Sequence, residues 1–194
     1  MASPRNSTIN LGAVSFLLAE PNAQASLIIH SILRGFGARR VIEARTTIEA
    51  IEVLLEQKVD MMLVEPRLPE GGGLAFVQAI RQNPDNPYRT LPIVVVTGDA
   101  RVSTIKAARN CGADMIVAKP VSPAGLYERL VWLAFQPRRF IETPTYFGPD
   151  RRSKEEVAPG GFDRRSKSGA ASGAKAEAAT LSQPEFETAI GERR

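Results

Sequence analysis

Five short apolar runs, each followed by a longer amphipathic segment, constrain this chain more than any other feature. They fall at residues 14–19, 40–44, 61–65, 93–97 and 115–118, each short enough for a strand buried on both faces. The first, third and fourth are almost continuously apolar, as a parallel strand covered by helices above and below must be. Helices are expected between them at residues 22–34, 46–57, 73–82 and 101–111. Residues that stop helices close three of them: Gly35 and Gly37, Asn83 and Pro84, and Gly112. A fifth follows Ser122, with Pro123 in its first turn where a missing N–H is harmless, and runs to about Phe135. Alternation of this kind, with right-handed crossovers, predicts an α/β fold built on a doubly wound parallel sheet.

Residues 13–136 therefore form one domain of ordinary size. Residues 1–12 are expected to be a flexible N-terminus. Residues 137–194 replace the apolar period with Pro, Gly, Ser, Ala and charge, and are expected to be a disordered tail. Within that tail Tyr146-Phe-Gly-Pro-Asp-Arg-Arg-Ser-Lys154 is echoed by Gly161-Phe-Asp-Arg-Arg-Ser-Lys167. The hydrophobic fraction of 43% and charged fraction of 24% are those of a globular protein, and no stretch approaches the roughly 18 apolar residues of a membrane span. The opening MASPRNSTIN lacks the apolar segment of a secretory signal, and Cys111, the single cysteine, can form no internal disulfide; both fit the cytoplasm. The net charge of +4 is spread along the chain, which argues against nucleic acid as a partner.

Ligands of an open parallel sheet bind outside the carboxyl ends of its strands. Four residues stand there: Glu20, Glu65, Thr97, and Lys119 followed by Pro120. Two carboxylates, a hydroxyl and an ammonium on one rim suit a hard cation beside a phosphoryl group.

At these positions the sequence resembles the response-regulator receiver family of two-component phosphorelay signalling. The likeness runs over about residues 13–136. It is carried by Leu17-Leu-Ala-Glu-Pro-Asn22, by Asp60-Met-Met-Leu-Val-Glu-Pro-Arg-Leu-Pro-Glu-Gly-Gly-Gly73, by Pro92-Ile-Val-Val-Val-Thr-Gly98 and by Gly112-Ala-Asp-Met-Ile-Val-Ala-Lys-Pro120. The resemblance implies a flavodoxin-like sheet of order 2-1-3-4-5. It makes Glu65 the equivalent of the phosphoacceptor, Thr97 and Lys119 the equivalents of the switch and phosphate-pocket residues, and Glu20 what is left of a Mg2+ site.

Three departures from the family pattern make this a degenerate receiver. The acceptor aspartate is replaced by Glu65, one methylene longer, and phosphoryl transfer tolerates little misplacement. Pro21 stands where the first-strand acidic pair has its second carboxylate, so Mg2+ binding is expected to be weak. Ile116 stands where the family has an aromatic switch. Two readings of Glu65 remain open: a stand-in for the phosphorylated acceptor reaching Thr97 and Lys119, or a rim acid paired with Lys119. His30 is read as an ordinary helical histidine, Asp60 as lying at the wrong end of its strand, and Cys111 as a small packing residue.

The resemblance also points to an output surface of fourth helix, fifth strand and fifth helix, with Arg101, Arg109, Ile116, Tyr127, Arg129 and Trp132 as interface candidates. No catalytic residue is assigned. The expected role is a stand-alone binding module, not an enzyme, that contacts a histidine kinase, a phosphotransferase or a downstream target, or a second copy as a homodimer. The alternatives are a regulator phosphorylated at low efficiency and an adaptor for a cyclic dinucleotide. For the latter, Arg151, Arg152, Arg164 and Arg165 of the repeated segments offer an anion-binding cluster; the same segments also read as a docking peptide or a solvated linker.

Overall fold

A computed structural model describes residues 10–136 and 138–150. The sheet strands are β1 (Ser15–Ala19), β2 (Arg40–Ala44), β3 (Met61–Val64), β4 (Ile93–Thr97) and β5 (Met115–Ala118), and the helices α1 (Ala23–Gly35), α2 (Thr47–Glu56), α3 (Gly73–Gln82), α4 (Val102–Asn110) and α5 (Pro123–Phe135). All strand pairs in the sheet are parallel, and their order is β2-β1-β3-β4-β5. This is the predicted flavodoxin-like arrangement, with element ends within a residue of expectation.

Local chemistry sets those ends. Asn22 caps α1 by accepting from the Ala25 N–H at 2.9 Å, and Ser122 caps α5 through Gly125. Thr46 caps α2 by accepting from the Glu49 N–H at 3.1 Å, and Glu49 Oε2 reaches back to accept from the Arg45 N–H just ahead of the helix at 2.6 Å.

Alternation along the strands divides the core into two layers. Leu17, Met62, Val64, Ile93 and Val95 meet Ala50 and Ile51 of α2, Phe76, Val77 and Ile80 of α3, and Ala108 of α4. Phe16, Leu18, Leu63, Val94 and Val96 meet Ile29 and Leu33 of α1 and Leu126, Leu130 and Leu133 of α5.

Three expectations are corrected. Residues 10–12 are not a flexible end, because Leu11–Ala13 form a 3-10 turn capped by Asn10 with Leu11 buried in the second layer. Residues 138–150 are not part of a disordered tail: β6 (Phe140–Thr143) and β7 (Tyr146–Pro149) form an antiparallel hairpin. It is held by residues far away in sequence, with the Arg89 guanidinium 3.6 Å from the centre of the Phe147 ring and Arg81 5.1 Å from that of Phe140. Gly112, at φ +93°, lets β7 approach; a Cβ there would lie 2.9 Å from both the Phe147 carbonyl oxygen and Arg81 Cγ. Residues 1–9 and 151–194, including both Asp-Arg-Arg-Ser-Lys segments and Arg151, Arg152, Arg164 and Arg165, lie outside the described residues. Finally, Trp132 is no exposed anchor. It is 4% exposed and packs in the second layer, with Arg138 over its ring at 5.0 Å.

Under the hairpin lies a buried ion pair that the sequence did not announce. Arg81 donates to the carbonyls of Gly112 (3.0 Å), Arg89 (2.7 Å) and Leu91 (2.7 Å) and to Asp114 Oδ2 (2.9 Å). Asp114 Oδ2 also accepts from the Ile93 N–H at 2.8 Å. Burial pushes the Asp114 carboxyl up to about 6 against the opposing pull of Arg81.

Candidate functional site

Three neighbouring backbone contacts assemble the rim. The N–H of Glu20 donates to Ala44, that of Glu65 to Ala19 and that of Lys119 to Thr97, so residues leaving β1, β3 and β5 stay in sheet register just past the strands. Gly73 brings the start of α3 against this rim, since a Cβ there would lie 2.0 Å from the Glu65 carbonyl oxygen.

The side chains converge on one ammonium. Lys119 Nζ lies 2.5 Å from Glu20 Oε2 and 2.5 Å from Glu65 Oε2. The Glu20 side chain is 2% exposed and that of Glu65 11%. Glu20 Oε1 accepts from the Asn22 N–H at 3.0 Å. Burial alone lowers the affinity of Lys119 for its proton, but the hydrogen bonds and charges of Glu20 and Glu65 outweigh it and the ammonium is held above its usual range. Lys119 is thus a fixed cation shared by two acids.

Thr97 takes no part in this cluster. Its Oγ1 accepts from the Asp99 N–H at 3.0 Å, a local turn of the kind a hydroxyl two residues upstream favours. Asp99 in turn is held by Arg101, by Thr104 Oγ1 at 3.0 Å and by Arg67 Nη2 at 3.1 Å. The Arg101 hydrogen bonds keep its carboxyl well below the usual carboxylate range. Asp99 and Arg67, which tie the loop after β3 to the loop after β4, were missed in the sequence. The Thr-x-Asp spacing hinted at the turn, but nothing marked Arg67 as its partner.

The remaining candidates are scattered. Arg101 is engaged with Asp99, Arg109 is exposed on α4, and Ile116 packs half-buried against the first core layer. Tyr127 meets Phe36 edge-on at 5.1 Å, on the α1 side of α5. Arg129 Nη1 donates to the Gly125 carbonyl at 2.7 Å. His30 does have an acidic partner: its Nδ1 lies 2.5 Å from Glu43 Oε1 across β2. Asp60 accepts from the Ser15 N–H at the amino end of the sheet, and Cys111 is buried.

A doubly wound sheet of this order with acids and a lysine at its carboxyl rim is a receiver-type signalling fold. Residues 16–131 match the response regulator receiver domain family, and the chain belongs to that family, whose members act as modules of two-component signalling.

Among its relatives is chemotaxis protein CheY1 of Helicobacter pylori, 26% identical over 118 residues, which cover 60% of this chain and 94% of that one. The sensory/regulatory protein RpfC of Xanthomonas campestris is 25% identical over 132 residues, covering 68% of this chain. The chain spans only 18% of the length of RpfC. Among solved structures, the receiver domain of sensor histidine kinase PA1611 from Pseudomonas aeruginosa, with magnesium in its active-site cleft, is 28% identical with a TM-score of 0.54, over 61% of this chain and 94% of that one. A two-component response regulator from Clostridium difficile shares the fold with a TM-score of 0.57 at 24% identity, over 63% and 97% of the two chains.

The magnesium of the Pseudomonas domain invites a test of the donors here. Among the described residues no group of three or more His, Cys, Asp or Glu is placed to hold a metal. Glu20 and Glu65 each give one oxygen to Lys119, and Pro21 gives no side-chain oxygen. A cation that demands near-octahedral oxygen ligation would have to displace the ammonium, so the arrangement does not fit a tightly held magnesium. No helix among the described residues is long and apolar enough to cross a membrane.

Proposed function

We propose that this receiver is degenerate: Glu65 replaces the acceptor aspartate, and the domain acts in two-component signalling through protein–protein contact without normal aspartyl phosphorylation. Its partners on this reading are a histidine kinase, a phosphotransferase or a downstream target, in the cytoplasm. The observation that carries the proposal is the Lys119 ammonium, 2.5 Å from both Glu65 and Glu20. In the family this lysine serves the phosphoryl group; here it engages two carboxylates and joins the ends of β1, β3 and β5. A donor approaching Glu65 meets an oxygen already hydrogen-bonded to Lys119 and set one methylene further out. Displacement of the nucleophile by about 1 Å is worth about 100-fold in rate.

Of the two readings of Glu65, the rim acid paired with Lys119 is the better supported. A carboxylate standing in for a phosphorylated aspartate would accept from the switch hydroxyl as well, and the Thr97 hydroxyl instead donates to the Asp99 carbonyl at 3.4 Å while accepting from the Asp99 N–H. Incubation with acetyl phosphate and magnesium, followed by intact mass measurement, tests the proposal. The mass stays unchanged on this account. A species heavier by one phosphoryl group that disappears in Glu65→Gln overturns it and supports the low-efficiency regulator instead.

A further inference from the structure

Helix α2 turns Ile48, Glu49, Glu52, Leu55 and Glu56 to solvent. At 3.6 residues per turn, Ile48, Glu52, Leu55 and Glu56 share an arc of about 100°. Ile48 is 49% and Leu55 45% exposed. The Glu49 carboxylate caps its own helix, whereas Glu52 and Glu56 make no hydrogen bond or ion pair among the described residues. An apolar pair beside two unpaired acids fits a short segment bearing one aromatic ring and adjacent cations.

The chain carries such a segment. Gly161-Phe-Asp-Arg-Arg-Ser-Lys167 repeats the end of the Tyr146–Lys154 stretch. In the earlier copy the phenylalanine is taken up inside the fold, where Phe147 lies under Arg89; the later copy lies outside the described residues.

The point at which the chain leaves the described fold favours α2 as its landing place. The Asp150 N–H donates to the Arg139 carbonyl at 2.8 Å and closes the base of the hairpin. Three residues inward along β7, Phe147 faces Arg89. The neighbouring Tyr88 donates its hydroxyl to the carbonyl of Gln57, the residue that ends α2, at 2.9 Å. The hairpin is therefore two side-chain contacts from the last turn of α2. The twelve-residue step from Asp150 to Phe162 can span up to about 40 Å, and a helix the length of α2 is about 15 Å long. Glu52 and Glu56 lie about 6 and 12 Å along the axis from Ile48, similar to the roughly 7 and 10 Å from Phe162 to Arg164 and Arg165 in an extended chain.

We propose that residues 161–167 dock in the same molecule on the solvent face of α2, with Phe162 packing on Ile48 and with Arg164 and Arg165 pairing with Glu52 and Glu56. The segment is then a removable cover, and a protein partner that uses the α2 face must displace it. This rests on features separate from the Glu65 site and stands whether or not Glu65 accepts phosphate.

The test uses the full chain with Cys111→Ala, a nitroxide attached at Ser168→Cys, and amide NMR. Signals of residues 48–56 lose most of their intensity on this account, while those of Leu27 and Ile28 on the exposed face of α1 do not. Arg164→Glu with Arg165→Glu restores the lost intensity, and adding Glu52→Arg with Glu56→Arg removes it again. Isotope-labelled chains mixed with separately spin-labelled chains show no loss. Undiminished α2 signals in the spin-labelled chain overturn the proposal. So does loss in the mixed sample, which would assign the contact to a second copy.

Discussion

Replacing Arg81 by Met gives the most demanding test of how the C-terminal hairpin joins the receiver fold. Arg81 is wholly buried and makes four hydrogen bonds, to the carbonyls of Gly112, Arg89 and Leu91 and to Asp114. Methionine keeps much of the volume and none of the donors. Breaking a buried ion pair from one side costs about 3–5 kcal/mol because the other charge is left unpaired. The three orphaned carbonyls add to this, by up to about 1–3 kcal/mol each where water cannot reach them. These penalties overlap, since a water entering the void serves several groups at once, so the expected loss is about 4 kcal/mol. Trp132, the only tryptophan, reports unfolding in urea from within the second core layer. Adding Asp114→Asn recovers part of the loss, by about 1–3 kcal/mol, as coupled partners do. A loss below about 1 kcal/mol for Arg81→Met, within the range of ordinary surface substitutions, would refute the reasoning.

Asp114 itself predicts a pH dependence. Burial raises its carboxyl from 3.8 to about 6, so the folded state holds the proton more tightly than the unfolded one. Its contribution is fully present below pH 3.8 and is lost as pH rises through about 6; Asp114→Asn flattens that part of the stability profile in urea titrations. Gly112→Ala drives a Cβ into the Phe147 carbonyl and Arg81, and faster hydrogen exchange at residues 140–149 reports the loosened hairpin. Lys119→Met leaves Glu20 and Glu65 facing each other and lowers stability by about 2–3 kcal/mol, less than a fully buried pair because Lys119 is partly solvated. Thermal unfolding checks it.

The sheet was legible because each layer of the fold is written locally. Apolar runs mark β1, β3 and β4, Asn22, Thr46 and Ser122 start helices, and Gly112 ends α4. The rim was legible for a related reason: residues that directly follow parallel strands have only one end of the sheet to occupy, so Glu20, Glu65 and Lys119 had to be neighbours. The failures share the opposite property. Arg81 meets Asp114 and Arg89 meets Phe147 across tens of residues, and no periodicity within residues 138–150 reveals that two guanidinium groups await two phenylalanines. Trp132 sits at an angle on α5 that the leucine stripe leaves open, and it joins the second core layer with Arg138 over its ring. Thr97 ends β4 at the rim, but its hydroxyl turns to the backbone of Asp99 two residues on.

Magnesium titration followed by amide NMR of the full chain tests the central claim most directly, namely that Lys119 occupies both rim carboxylates and closes the site a divalent cation would use. At physiological magnesium the account predicts no saturable shifts at Asn22, Glu65 and Lys119 in the wild-type chain, and their appearance in Lys119→Met. Saturable shifts at those amides in the wild-type chain would contradict it.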